Sequence, residues 1–149
     1  MNLADVHQVF LGLGSNLGNR QENLMHACKE IERLIGTIVR QSAFHTTEPW
    51  GFQTEHSFLN AVVCCTTNLS PRELLLTTQQ IEREMGRSKK SENGEYHDRI
   101  IDIDILFYDE LVVDEPDLRI PHPLMKQRDF VMLPLMEIIP KDSPLLQLL

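Results

Sequence analysis

Apolar and polar positions along this chain change period from segment to segment, and the changes mark its elements. Val6 to Leu13 reads as a strand with a nearly continuous apolar end, closed by Gly-Ser-Asn-Leu-Gly-Asn. From Arg20 to Ile35, residues Leu24, Ala27, Cys28, Ile31, Leu34 and Ile35 recur at helical spacing, with Asn19 and Glu22 as the start signal and Gly36 as the stop. Thr37 to His45 alternates as a second strand, and Thr46 to His56, with Pro49, Trp50 and Gly51, reads as a loop. Phe58 to Thr67 is apolar and β-branched, a third strand. Ser70-Pro71-Arg72-Glu73 opens a helix by a capping box with proline in the first turn. That helix runs to about Met85, with Leu74, Thr78, Ile81 and Met85 on one face and Gly86 ending it. Ser88 to Asp98 is polar and reads as a mobile loop, and Ile100 to Tyr108 as a fourth strand. A hairpin-like segment (Leu111 to Ile120), a Pro121-His122-Pro123 turn and an apolar tail from Phe130 to Ile139 follow.

The order strand, helix, strand, strand, helix, strand is that of a split βαβ, or ferredoxin-like, α+β sandwich with additional C-terminal elements. A length of 149 residues predicts one domain over 1–149 and suffices to bury a core. No apolar run approaches the ~20 residues of a membrane span, and no secretory signal is visible, so no membrane association and a cytoplasmic location are expected. The net charge of −8 argues against general attraction to nucleic acid. Cys64 and Cys65 are adjacent in a strand and point to opposite faces, which places them poorly for pairing with each other. With no CxxC pattern, reduced buried thiols fit best.

The sharpest chemical feature is Asp102-Ile103-Asp104. Residues two apart in a strand share a face, so both carboxylates project together, with Cα atoms about 6–7 Å apart. Ile101, Ile103, Ile105 and Phe107 take the other face. Two like charges side by side repel, and Mg2+, which prefers one or two carboxylates with phosphate oxygens and water, is a natural partner. A bare Asp-x-Asp is more often one solvated strand face, so the surroundings decide. Eight of the 14 Lys/Arg lie from Arg83 to Arg128, together with half of the acidic residues. That mixture suits polyphosphate held by cations, carboxylates and metal together. His122, stiffened between two prolines, is equally a phosphate donor or a turn residue. Gly12 to Gly18 has neither the P-loop nor the dinucleotide spacing, and its glycines serve a phosphate or simply a sharp turn. Asn60, inside the apolar run Phe58 to Val63, needs partners or a task.

Six blocks in order resemble one family: GLGSNLGNR (Gly12 to Arg20), FLNAV (Phe58 to Val62), IEREMGR (Ile81 to Arg87), DRIIDIDILFYD (Asp98 to Asp109), IPHP (Ile120 to Pro123) and RDFVMLPL (Arg128 to Leu135). The chain is similar, from Leu11 to Pro140, to 6-hydroxymethyl-7,8-dihydropterin pyrophosphokinases of folate biosynthesis. The resemblance implies a ferredoxin-like αβα sandwich with an antiparallel sheet. It implies transfer of the β,γ-pyrophosphoryl group of ATP, the co-substrate, to the pterin hydroxymethyl oxygen, releasing AMP, with two Mg2+ ions held by Asp102 and Asp104. It further implies that Phe58 and Phe130 sandwich the pterin, that Asn60 reads its polar edge, and that Thr47, Glu48 and Trp50 lie in the loop that meets it. Gln79, Glu82, Arg87, Lys89, Tyr96, Arg99, Ile105, His122 and Arg128 fall at ATP-side positions. Arg87, Arg99, Asp102, Asp104, His122 and Arg128 are the residues expected to carry catalysis. Three positions depart from the family pattern: Tyr96 stands for a tryptophan, Lys89 for an arginine, with loss of its bidentate fork, and Glu48 for a proline. The expected partners are ATP and the pterin alone, bound by a monomer. Two other readings compete. One is a different two-metal phosphoryl- or nucleotidyl-transfer enzyme without the aromatic sandwich. The other is a non-catalytic ferredoxin-like ligand-binding module, which would leave Asp102, Asp104, Arg99 and Arg128 clustered without purpose.

Overall fold

The structure, a computed structural model, describes residues 5–47, 57–86 and 100–149. Strand β1 (His7–Ser15) is followed by helix α1 (Arg20–Leu34), strands β2 (Ile38–Gln41), β3 (His45–Thr47) and β4 (Phe58–Thr67), and helix α2 (Pro71–Glu84). Strand β5 (Asp102–Tyr108), the short hairpin β6 (Val113–Glu115) and β7 (Leu118–Ile120), and helix α3 (Asp129–Ile138) complete the order, with 3-10 turns at Met125–Gln127 and Pro144–Leu148. The main sheet runs β2-β4-β1-β5, with β3 also paired to β4, and every pairing is antiparallel. This is the strand order of the ferredoxin-like fold.

Two apolar layers sandwich the sheet. On one face, Val9, Leu11, Leu13, Ala61, Val63, Cys65, Ile101, Ile103 and Ile105 pack against Leu24, Ala27 and Ile31 of α1 and Leu74 and Ile81 of α2. On the other, Phe10, Val62, Cys64 and Phe107 pack against Val131, Leu135 and Ile138 of α3. Phe10 and Phe107 meet edge to face, with centroids 5.8 Å apart. The adjacent Cys64 and Cys65 thus enter different cores, and all three cysteines are free. Among the described residues no helix is long and apolar enough to cross a membrane.

The helix starts follow their local chemistry. Asn19 Oδ1 accepts the Glu22 N–H at 3.1 Å. The Ser70 hydroxyl accepts the Glu73 N–H while the Glu73 carboxylate accepts the Ser70 N–H, a complete capping box. Gly36 is no left-handed cap. Its place is set by close approach, since a Cβ there would lie 1.6 Å from the Thr66 carbonyl oxygen.

Phe107, expected to share a face with Ile105, packs on the opposite face with α3, because the pairing of β1 with β5 shifts between Phe10 and Leu11. Four segments also differ from the sequence expectation. β1 continues through Gly14 and Ser15, because both remain paired with β4. The expected strand Thr37 to His45 is two strands, broken at Ser42. The Ser42 N–H still donates to the Val62 carbonyl at 2.9 Å, but the Ser42 hydroxyl, which donates to the Ala43 carbonyl, takes the Val62 N–H in place of a main-chain acceptor. Residues 45–47, expected as loop and strand end, form β3 against Phe58–Asn60. The apolar tail is helix α3, with Pro134 inside it. The expected loop Ser88 to Asp98 lies outside the described residues.

Candidate active site

Cross-strand register assembles the site. Gly14 of β1 is opposite Asn60 of β4 on one side and opposite Asp102 of β5 on the other. His45 of β3 is opposite Asn60. Residues directly opposite each other in a sheet project to the same face. His45, Asn60, Gly14 and Asp102 therefore form one row across the sheet, on the face that α3 covers. Gly12 is opposite Asp104 in the next row. Each aspartate thus has a glycine as its neighbour on β1.

Gly14 matters because of what crosses it. A Cβ there would stand 2.9 Å from Asn60 Oδ1 and 3.5 Å from the Phe58 ring. The missing side chain lets the Asn60 carboxamide and the Phe58 ring occupy the sheet face. This glycine was visible in the sequence, but its role was not, since only the register puts it beside Asn60. A glycine inside a strand is nonetheless the available signal for such a close approach. The glycine-rich run is no phosphate loop. Gly12 and Gly14 lie within β1, and Ser15 and Asn16 are buried as the chain turns toward α1. Asn23 Nδ2 steadies that turn by donating to Ser15 Oγ at 3.1 Å and to the Leu17 carbonyl at 2.8 Å. Arg20 Nη1 donates to both the Ser57 carbonyl and hydroxyl at 2.8 Å, which fixes the start of β4 and with it Phe58.

Asp102 and Asp104 are half-buried, and Asn60 is buried at 4% exposure. The amide between the aspartates, Ile103 N–H, donates to the buried Glu82 carboxylate at 2.9 Å. Glu82, expected on the ATP side, thereby braces the aspartate strand from α2. Gln79 lies one turn earlier on α2 and is exposed. Ile105 packs in the core between sheet and helices, so only its main chain could meet a ligand.

His122 follows β7. Its N–H donates to the Leu106 carbonyl at 3.2 Å. Burial first, then the nearby Arg128 guanidinium, hold its imidazole pKa below 6.5, while Asp102 pulls the other way. Asp102 and Arg128 are thus the charges that act on His122. His122 Nδ1 accepts the Leu124 N–H at 3.4 Å, which assigns the proton of the neutral ring to Nε2. Arg128 places its guanidinium carbon 5.5 Å from the centroid of the Phe130 ring. Phe130 lies in the first turn of α3 and is partly buried against its apolar layer. Thr47 contributes its backbone as the partner of Phe58. Glu48, Trp50, Arg87, Lys89, Tyr96 and Arg99 lie outside the described residues.

The donor set fits Mg2+ on chemical grounds. Two hard carboxylates stand side by side on one strand face, each opposite a glycine rather than a side chain. Among the described residues no group of three or more His, Cys, Asp or Glu could hold a metal ion. Two carboxylates completed by phosphate and water oxygens are the arrangement Mg2+ prefers over an all-protein cage.

Comparison with known proteins agrees with this geometry. The family model for 7,8-dihydro-6-hydroxymethylpterin-pyrophosphokinase matches residues 10–140. A Porphyromonas gingivalis protein named 2-amino-4-hydroxy-6-hydroxymethyldihydropteridine pyrophosphokinase is 50% identical over 137 residues, 91% of this chain and 93% of that protein. An Aquifex aeolicus protein of the same name is 40% identical over 132 residues, 89% of this chain and 80% of that one. Among solved structures, wild-type Plasmodium falciparum HPPK-DHPS with pterin and p-hydroxybenzoate superimposes with a TM-score of 0.72 at 18% identity. That match covers 93% of this chain and 39% of the longer one, and is a likeness of fold. Sequence, fold and the row of Asn60, Gly14 and Asp102 converge: the chain belongs to the 7,8-dihydro-6-hydroxymethylpterin-pyrophosphokinase family.

Proposed function

We propose that this chain transfers the β,γ-pyrophosphoryl group of ATP to the hydroxymethyl oxygen of 6-hydroxymethyl-7,8-dihydropterin and releases AMP. The new bond joins that oxygen to Pβ, and the bond from Pβ to the bridging oxygen of AMP breaks. The electron pair leaves with AMP and the hydroxyl gives up its proton. The observation that carries the reading is the cross-sheet row. Asn60 and Asp102 stand two strands apart, about 10 Å between their Cα atoms, on one face with only Gly14 between them. A bicyclic ring at Asn60 with its hydroxymethyl arm directed along the row brings its oxygen toward the aspartates.

Each residue then has a physical task. The Asn60 carboxamide offers both donor and acceptor to the amide-like pterin edge. Phe58 and Phe130 supply flat apolar faces, and stacked rings gain about 0.5–1.5 kcal/mol beyond burial. Asp102 and Asp104 would hold Mg2+, two ions by the family pattern, which supply neutralisation of the triphosphate charge. His122 offers a fixed Nε2–H donor, and Arg128, steadied on Phe130, offers a fixed positive charge; both act on charge that grows as the bond breaks. Thr47, Glu48 and Trp50 meet the pterin, while Gln79, Glu82, Arg87, Lys89, Tyr96, Arg99 and Ile105 serve the nucleotide. With such groups the protein mainly aligns the hydroxyl with Pβ, which is a matter of positioning. Residues 1–149 act as one domain and as a monomer in the cytoplasm.

Product analysis with ATP, Mg2+ and the pterin tests the proposal. AMP formed one for one with pterin consumed is expected, and chelation of Mg2+ should abolish it. ADP as the product would make the chain an ordinary kinase. Folded protein that gives no nucleotide product would make it a binding module.

A further inference from the structure

The two aromatic walls of the proposed pterin site come from distant parts of the chain. Phe58 opens β4, and Phe130 lies in the first turn of α3. Their spacing depends on how α3 is fastened to the β3–β4 pair. Val131, Leu135 and Ile138 seat the helix on Val62 and Cys64 of β4, and one residue in its last turn adds a polar tie to β3. Glu137 Oε1 accepts the Ala43 N–H at 2.9 Å, and its other oxygen is hydrogen-bonded to His45 Nε2. His45 is the register partner of Asn60, and Thr47, two residues on, is the partner of Phe58. Glu137 follows Phe130 by seven residues, two turns or about 10 Å along the same side of the helix. A single carboxylate therefore joins the helix that carries one wall to the strand that backs the other.

The break at Ser42 explains why such a fastening is needed. The Ser42 hydroxyl occupies the Val62 N–H, so the ladder of β2 does not continue into β3. Ala43, inside the bend, has an amide that no strand neighbour takes up in the regular way, and Glu137 accepts it. An isolated exposed ion pair would count for little. This carboxylate differs because it also takes a main-chain amide, and because both of its ends sit on elements that carry site residues.

We infer that Glu137 and His45 are positioning residues that set the alignment of Phe130 with Phe58 and Asn60, and thereby the affinity for the pterin. The inference rests on the pterin reading given above. Neither residue is required to touch the reacting atoms.

Steady-state kinetics and equilibrium binding of the pterin, followed by its fluorescence, provide the test. Glu137→Ala should raise the pterin KM and Kd about tenfold, the scale of losing one charge-assisted contact. The KM for ATP should rise less than the pterin KM, because Arg128, which stands on Phe130, is the only nucleotide-side group among the described residues that α3 carries. Glu137→Gln keeps an acceptor for Ala43 and should fall between, and His45→Ala added to Glu137→Ala should cost little more. Tyr108→Phe is the stability control. It loses the hydroxyl bond to the Leu69 carbonyl at the far end of β5, and should leave the pterin KM unchanged. A wild-type pterin Kd in Glu137→Ala overturns the inference. So does a rise of both KM values in proportion to lost melting temperature. Should Glu137→Ala not fold, Glu137→Gln and His45→Ala decide by the same KM split. Wild-type protein that binds no pterin refutes the parent reading and this inference with it, whereas normal binding in wild type and variants alike refutes this inference alone.

Discussion

Gly14 and Asp102 are opposite one another on adjacent strands, and substitution at each should give a different signature. An added methyl at residue 14 would meet Asn60 Oδ1 at 2.9 Å, the tip of a side chain that can swing aside. Gly14→Ala should therefore fold with a melting temperature close to wild type, since alanine costs less than glycine in a strand interior. Its pterin affinity should fall by about tenfold or more, because the carboxamide proposed to read the ring is displaced. Titration of pterin fluorescence beside a thermal melt separates the two effects, and unchanged affinity would show that Asn60 does not read the ring. Asp102→Ala should bind pterin nearly as wild type yet lose more than about nine-tenths of turnover, as expected when a metal carboxylate is removed. Turnover above a tenth of wild type at saturating Mg2+ would refute its role. The residue types at both positions were plain in the sequence, as were the shared face of Asp102 and Asp104 and the oddity of Asn60. Their juxtaposition was not, because it depends on which residue of β1 meets which residue of β4 and β5.

At the scale of elements, local signals were legible and tertiary ones were not. The capping box at Ser70 and Glu73 is written within four residues, and the structure forms it. α3 was hidden because Phe130 to Ile139 is apolar at nearly every position, which erases the helical period, and because Pro134 interrupts it. β3 was hidden because the break before it is made by a serine hydroxyl bonded to a strand twenty residues away. Glu82 shows the same limit. Family spacing assigned it to the nucleotide, and nothing in its residue type announced that its carboxylate would also accept the Ile103 amide of β5. Glu82→Ala should cost about 1–3 kcal/mol, the usual penalty of stranding a buried amide. Glu82→Gln, which retains an acceptor, should cost less. Urea denaturation compares them, and equal stability of both variants with wild type would show that β5 does not need the brace.

For the molecule as a whole, several carboxylates are stabilised in their charged form, Glu137 and Asp117 between elements and Glu73 and Glu30 within single helices, so stability should depend on acid pH. The Ala43 amide, and then His45, hold Glu137 below the ordinary carboxyl value of 4.5. Ser70 does the same for Glu73, by its backbone and then its side chain. Hydrogen bonds from Arg33 and Arg72 hold Glu30 below 4.5 and Asp117 below 3.8. In each case the folded value lies below the unfolded one. The stabilisation is then fully present above the unfolded values and is lost as pH falls through the folded ones. Melting temperature should be level above about pH 5 and decline steadily below it. Glu137→Gln should decline less over that range. A melting temperature that holds level to pH 3 would refute the assignment.

The gap at Gly14 bears on how this protein could evade an inhibitor. Escape by mutation commonly enlarges a residue beneath the compound so that it no longer fits. At residue 14 any side chain would first strike the Asn60 carboxamide, whose Oδ1 lies 2.9 Å from where its Cβ would stand, with the Phe58 ring in ordinary contact at 3.5 Å. A compound resting on that floor would thus press on a position where the change that expels it also disturbs the proposed pterin contact of Asn60. Resistance would have to arise elsewhere on the rim, which makes the glycine floor a durable target.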